Sequence, residues 1–195
     1  YKRQEEIGRA IDLFKQKSGK PVWAWGTHFT QTQYAIAAHA NEIYMHPMGE
    51  IGIKGLSSNR LYFGDLLKTF GVNIHVFKAG DYKSYPESFI SNAPSKAWIE
   101  SEKTWLNNAW ASLTDNIERS RGLIPGEINR YINDLPKRVA ENHGNMAKTA
   151  LGSSFIDGLK TADEMEDFIA QKIHSEKPSS INWIPYQDYI TKPIL

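Results

Sequence analysis

The chain contains no cysteine, which removes disulfides, thiolate zinc sites and cysteine nucleophiles together. It also leaves the redox compartment open, since a chain without thiols suits either side of a membrane. Neither sign of charge is in excess. The 23 Lys and Arg against 22 Asp and Glu leave +1 at pH 7, so nothing points to a nucleic-acid or acidic-membrane partner. No apolar run approaches the roughly 18 residues needed to span a bilayer. The nucleotide fingerprints are missing too: there is no P-loop, and Gly49-Glu50-Ile51-Gly52 is too sparse to count as a dinucleotide turn. The six histidines, His28, His39, His46, His75, His143 and His174, never fall into a compact metal-binding spacing and are read as surface or core residues. Spacing alone does not speak against a Ser-His-Asp triad, whose members are distant in sequence, but no G-x-S-x-G elbow supports one. No metal or cofactor is expected.

What is present has ordinary globular proportions, 195 residues with 41% hydrophobic and 23% charged. That length implies one domain, or one with a tail, able to bury about 70% of its unfolded surface. The chain opens on Tyr1 rather than Met, so it reads as an excised piece of a longer one.

Periodicity supplies the elements. Ile7, Ala10, Ile11 and Phe14 fall at helical spacing, with Gly19 placed to end the helix. Residues 21–25 read as a short buried strand closed by Gly26. From Thr30 the side chains become small, with Ala35, Ala37, Ala38 and Ala40 predicting a helix pressed closely on a sheet. Residues 42–45 and 49–53 read as two further strands. Phe63, Leu66, Leu67 and Phe70 predict a helix with Gly71 at its end, and residues 72–77 alternate like a strand. A polar loop over 78–94 leads to Ser95, a cap for a long helix. In that helix Ile99, Leu106, Trp110, Leu113 and Ile117 form one stripe and Trp98, Trp105 and Ala109 another, so two buried faces are expected, ending at Gly122. The tryptophans are read as core packing rather than a ligand box. Pro125 opens a short helix, residues 145–151 form another, and Thr161 with Glu164 makes a capping box before Met165, Phe168, Ile169 and Ile173. Residues 179–195 have no strong period and read as a linker or arm. Strands alternating with helices predict an α/β layered fold with mostly parallel strands.

Motifs alone stop at an α/β domain. However, the order Gly19-Lys20-Pro21-Val22, Trp25-Gly26, Gln33-Tyr34 and Ala40-Asn41-Glu42-Ile43 resembles the signal peptide peptidase A family (protease IV, the S49 serine peptidases). Gly55-Leu56 with Asn59 and Leu61-Tyr62, then Phe70, Val72 and His75-Val76-Phe77, continue the likeness. The strongest block is Gly80-Asp81-Tyr82-Lys83-Ser84, followed by Glu87 and Phe89-Ile90. The resemblance covers about the first 120 residues well, and continues through Ala147-Lys148-Thr149-Ala150-Leu151 and Ile156-Asp157-Gly158-Leu159 to Tyr186, Asp188 and Tyr189.

The resemblance implies a ClpP/crotonase-like fold and hydrolysis by a Ser/Lys dyad, with Lys83 matching the general-base lysine. A lysine near its ordinary pKa of roughly 10.4 cannot accept a proton at neutral pH; burial in a dry site lowers that value and makes the amine a usable base. Ser84 either orients the amine or is an ordinary turn residue, and the sequence leaves both open. In single-unit relatives the nucleophilic serine opens the helix after the Pro-Val strand; the matching position here is Gln31, which has no hydroxyl. Thr30 and Thr32 flank it, but a one-residue shift turns a helical side chain by about 100°, so both are read as non-catalytic.

A unit with the lysine but without the serine resembles the N-terminal half of the tandem, Gram-negative type. The likeness implies that residues 1–178 are the lysine-bearing half, truncated at its start, and that 179–195 lead toward a second half supplying the serine and oxyanion-hole glycines. It further implies a membrane-anchored peptidase at the inner membrane, facing the periplasm. Its substrates would be cleaved signal peptides and its assembly a homo-oligomer, a ring of four. Two other readings compete: a non-catalytic assembly module whose helices form an oligomer, and an acyl-CoA enzyme sharing the fold. The last ranks lowest, because the lysine block is foreign to it and no acidic pair stands out.

Overall fold

The computed structural model describes residues 2–77 and 84–191. The first helical stripe forms α1 (Lys2–Ser18), which stops at Gly19 with φ +65°, a conformation that glycine adopts without steric penalty. Its outer apolar residues stay open: Ile7, Leu13 and Phe14 are each close to half exposed. What α1 buries is Gly8. The first strand, β1 (Trp23–Thr30), runs past the stop expected at Gly26. That glycine sits in the ladder opposite Met45, where the Phe29 ring lies 3.2 Å from the place a Cβ would take. It marks close packing, not an end.

The second helix, α2 (Gln31–Ala37), follows at once, and Ala35, Ala37 and Ala38 are buried as the small-residue run predicts. The two strands expected over 42–45 and 49–53 are one, β2 (Glu42–Gly52). It pairs in parallel with β1, first Trp23 with Glu42 through Gly26 with Met45, then His28 with Glu50 through Thr30 with Gly52. Between these stretches four residues of β2 oppose the single Thr27, so β2 bulges outward, and Pro47, which has no N–H to give a ladder, sits in the bulge.

The next helix, α3 (Gly64–Thr69), matches expectation, with Gly71 at φ +70°. The strand expected over 72–77 does not form. These residues find no ladder partner among the described residues, and Phe77 is 99% exposed; alternation without a neighbouring strand leaves only extended chain. Within the stretch expected to be loop lies α4 (Glu87–Ile90). The long helix, α5 (Lys96–Arg121), is capped by the Ser95 hydroxyl, which accepts from the Trp98 N–H, and ends at Gly122 with φ +63°. The expectation of two buried faces fails. Only its second half is buried, through Leu113, Thr114, Ile117 and Glu118, and Trp105 is 61% exposed. At 1.5 Å per residue the helix is about 39 Å long and outruns the body it packs on.

Beyond it come α6 (Glu127–Glu141), longer than the short helix expected, and α7 (Met146–Gly152). Buried Glu118 caps α6 from the neighbouring helix: its two carboxylate oxygens accept from the Gly126 and Ile128 N–H groups at 2.8 and 2.9 Å. A two-residue strand, β3 (Gly158–Leu159), pairs in parallel with Tyr44 and Met45, giving the sheet order β1-β2-β3. After it, α8 (Ala162–Lys172) starts at the expected Thr161–Glu164 capping box. A 3-10 turn at Pro178–Ser180 and α9 (Tyr186–Thr191) bury no side chain.

The sheet divides the packing. Ile43 and Met45 point into the main core with Phe29, Tyr34, Ile117, Ile128, Tyr131 and Phe155. Tyr44, between them in sequence, points the other way, onto Phe168 of α8 at 4.9 Å, and Trp23 meets the same ring edge-on at 5.4 Å. The alternation follows from the period of two in a strand. Among the described residues no helix is long and apolar enough to cross a membrane.

Candidate functional site

Parallel sheets present ligands beyond the carboxyl ends of their strands. Here those ends are Thr30 of β1 and Gly52 of β2, which are partners in the ladder. Gln31, the residue at the expected serine position, is therefore the first residue of α2 at that edge. Its amide oxygen accepts from the backbone N–H groups of Lys54 and Gly55, each at 3.1 Å. Gly55 has φ +93°, a backbone that a larger residue would resist. Gln31 thus joins the head of α2 to the chain leaving β2.

Of the flanking threonines, one is a helix cap and the other a surface residue. The Thr30 hydroxyl accepts from the Gln33 N–H at 3.3 Å and donates to the Gln33 side-chain oxygen at 2.9 Å, closing a capping box. Its proton is committed to a neutral amide rather than aimed at a base. Thr32 lies on the exposed side of the helix. One turn into α2, the Tyr34 hydroxyl donates to the Phe155 carbonyl at 2.7 Å. Burial pushes that phenol well above its ordinary pKa, so it stays a neutral donor and α2 cannot turn about its axis.

Lys83 lies outside the described residues, and so does the rest of Gly80-Asp81-Tyr82. The segment that follows is held firmly. The Arg60 guanidinium donates from Nε to the Ser88 hydroxyl at 2.8 Å, from one terminal nitrogen to the Ser84 hydroxyl at 3.2 Å, and from the other to the Tyr85 carbonyl at 3.1 Å. Its plane also lies over the Trp98 ring, 5.9 Å from the centroid. Ser84, left open between two roles, accepts from Arg60. The Phe63 N–H donates to the Ser88 carbonyl at 2.7 Å and the Gly64 N–H to that of Ser91 at 3.1 Å. Buried Glu87 ties the same turn to α5, its carboxylate accepting from the Ser95 hydroxyl at 2.7 Å and from the Ser95 N–H at 3.1 Å.

The loop between β2 and α3 therefore touches Gln31 and the turn over 84–88. Gly55 grips Gln31, and Arg60, five residues on, grips the residue after Lys83. Five residues span at most about 18 Å of backbone between Gly55 and Arg60. Periodicity could not find Arg60, because its partners lie 24 to 28 residues away and its flanks carry no repeat. Among the described residues no group of three or more His, Asp or Glu is placed to hold a metal ion.

A parallel three-stranded sheet with flanking helices, and a helix springing from the strand ends at Gln31, is the layered α/β scaffold of the ClpP/crotonase-like kind. The chain belongs to peptidase family S49, whose model matches residues 14–174. It is 31% identical over 187 residues to Protease 4 of Salmonella typhi and 28% over 186 residues to Protease 4 of Haemophilus influenzae. In both cases 95% of this chain aligns to 30% of the relative. Serine protease SPPA, chloroplastic, of Arabidopsis thaliana is 22% identical over 185 residues, 95% of this chain and 26% of the relative. The chain thus spans about a third of the length of the curated relatives it matches.

Proposed function

We propose that this chain is the lysine-bearing unit of a serine peptidase that degrades cleaved signal peptides, with Lys83 as general base and the serine supplied from outside these residues. The carrying observation is Gln31 at the head of α2, its amide oxygen bound by Lys54 and Gly55, where the resemblance places a serine. An amide cannot form an acyl-enzyme, yet the Gly80 to Ser84 block keeps the base.

In this reading the lysine amine, neutral because its site is dry, takes the proton from the serine hydroxyl as its oxygen attacks the scissile carbonyl carbon. The tetrahedral intermediate collapses when the ammonium returns that proton to the leaving amine, leaving the acyl-enzyme. A water molecule, deprotonated by the same amine, then releases the acyl peptide. The amine must come within roughly 2.6–3.2 Å of the hydroxyl, so the boundary between the lysine unit and the serine unit has to be rigid. Apolar, extended peptides suit binding by strand addition. The same reading makes the complete protein a ring of four, anchored in the inner membrane and facing the periplasm.

The test mixes two inactive full-length variants, one carrying Lys83→Ala and one lacking the serine, and lets subunits exchange. Returning activity supports a dyad shared between chains. If mixed assemblies form and stay inactive, the dyad lies within one chain or the assignment fails; Lys83→Ala retaining wild-type turnover removes Lys83 as the base outright.

The second reading, an assembly module without catalysis, is favoured by the apolar surface at Leu61, Phe70 and Phe77, which are 73%, 74% and 99% exposed. Turnover by the complete protein that depends on Lys83 would decide against it.

A further inference from the structure

We infer that the cleft between α1 and α5 is a binding site for a small oxyanion, a carboxylate or phosphate group held between Arg9 and Arg119. The two helices face each other there through polar side chains. Glu5, Arg9 and Asp12 recur along α1 at steps of four and three, and Ser112, Asn116 and Ser120 along α5 at steps of four, so each set shares one side of its helix. Between them lies a cavity of about 520 Å³, within the size range of small-ligand sites. Packing alone would close such a gap with apolar side chains. Instead the apolar residues of α1, Ile7, Leu13 and Phe14, stay close to half exposed.

The floor of the cleft is already satisfied. His39, 4% exposed, has Nδ1 2.8 Å from Asp12 and Nε2 3.2 Å from the Asn116 amide. A neutral imidazole with its proton on Nδ1 meets both partners. The Ser120 hydroxyl approaches that same Nδ1, at 3.5 Å. Serine and carboxylate therefore share one ring nitrogen, and the ring cannot pass a proton between them as a catalytic triad does. The cluster is built to bind, not to cleave.

The charges show what it would bind. Both carboxylates are engaged: Asp12 by His39 and by Lys15 at 3.2 Å, Glu5 by the Ser112 hydroxyl at 3.0 Å. The arginines are not. Arg9 comes only within 3.9 Å of Glu5, beyond hydrogen-bond distance. Arg119 makes one long bond, from Nε to the Asp115 carbonyl at 3.4 Å. The terminal N–H groups of both find no acceptor at hydrogen-bond distance among the described residues. Three cations (Arg9, Lys15, Arg119) against two anions (Glu5, Asp12) leave the lining one positive charge in excess. Carboxylate and phosphate oxygens match the guanidinium fork, and a ligand gripped by one arginine from each helix would tie α1 to α5.

The experiment titrates inorganic phosphate and citrate separately into the full-length protein by calorimetry, at constant ionic strength, comparing wild type with Arg9→Ala, Arg119→Ala and Arg3→Ala. At least one probe should bind with a Kd in the millimolar range or tighter, roughly 1 mM. Arg9→Ala and Arg119→Ala should each weaken it by about tenfold or more, the worth of a hydrogen bond to a charged group. Arg3→Ala removes the same charge from an exposed position of α1 outside the cleft and should change nothing. Bound probe should also raise the melting midpoint of wild type more than that of Arg119→Ala. Phosphate binding alone assigns a phosphate ligand, citrate binding alone a carboxylate, and both together a general oxyanion site. No saturable binding of either probe overturns the inference, as does binding that neither cleft arginine affects. Equal losses in Arg3→Ala and Arg119→Ala overturn it too, reducing it to diffuse attraction. Should Arg119→Ala fail to fold, Arg119→Lys keeps the charge without the fork; unchanged affinity there and in Arg9→Ala is equally fatal. None of these readouts depends on catalysis.

Discussion

Gly8 of α1 lies against the imidazole of His39 so closely that a Cβ on it would stand 2.3 Å from Nε2. His39, 4% exposed, is held in place from two helices. Its Nδ1 is 2.8 Å from the Asp12 carboxylate and its Nε2 3.2 Å from the Asn116 side-chain amide. Lys15 donates to its carbonyl. Burial would raise the Asp12 carboxyl, but hydrogen bonds from His39 and Lys15 outweigh it and hold the group below its ordinary value. The helix α1 is docked by this polar contact rather than by its apolar stripe.

Gly8→Ala should therefore cost about 1–3 kcal/mol by overpacking. For a chain of this size that lowers the melting midpoint by several degrees. A thermal melt followed by circular dichroism measures it; an unchanged midpoint would mean that α1 does not dock through Gly8.

Phe155 is fully buried and meets two tyrosines edge-on, Tyr34 at 5.9 Å and Tyr131 at 4.5 Å. Phe155→Ala should cost about 3–5 kcal/mol, while Phe155→Leu, which keeps most of the volume, should cost less. Urea denaturation midpoints rank the two; equal midpoints would place the ring outside the core.

Acid should weaken the chain through Glu127. Its carboxylate accepts from Arg130 at 2.8 Å and Arg138 at 3.0 Å. Burial raises its pKa, but these hydrogen bonds and charges prevail and hold it below the ordinary 4.5. A depressed folded-state pKa means stability present above about 4.5 and lost as pH falls through the lower folded value. Glu127→Gln should be less stable than wild type at pH 7, with the gap closing as pH falls below about 4.5. Urea titrations across that range test the sign: a gap that stays constant would be the refuting result.

The isolated 195-residue chain should hydrolyse no peptide ester, since Gln31 offers no nucleophile and the Thr30 hydroxyl is used up in its cap. Turnover that disappears on Thr30→Ala would overturn this. Gln31→Ser should not create activity; it should instead loosen the grip of Lys54 and Gly55 on α2 and lower the melting temperature.

Local chemistry made much of this fold readable. The stops at Gly19, Gly71 and Gly122, the caps at Ser95 and Thr161, and the alanine run of α2 each depend on a few neighbouring residues, and each appears where the sequence places it. What failed depends on distant partners. Residues 72–77 alternate correctly but have no strand beside them among the described residues. Trp105 sits at core spacing on a helix that outruns its core. The bulge in β2 splits one strand into two apparent runs, because a pattern cannot see that Thr27 alone faces four residues. The two residues of β3 are too few to carry any period. At the site, Gln31 and the Gly80 to Ser84 block were legible only through resemblance, and Arg60 was not legible at all, for its meaning lies wholly in Ser84, Tyr85 and Ser88.

The third strand has a consequence for the order of folding. β1, α2 and β2 are contiguous and can assemble as soon as they exist. The backbone N–H of Ile43, however, donates to the Asp157 carboxylate across 114 residues of sequence, and Gly158 and Leu159 must then pair beside Tyr44 and Met45. Contacts so far apart are slow to close. Until that stretch arrives, the edge of β2 stands open with Tyr44 unclamped, the kind of edge through which one nascent chain pairs with another. The arrival of Asp157, tied on its far side to Arg121 at 3.0 Å, is then the step that removes the hazard during synthesis.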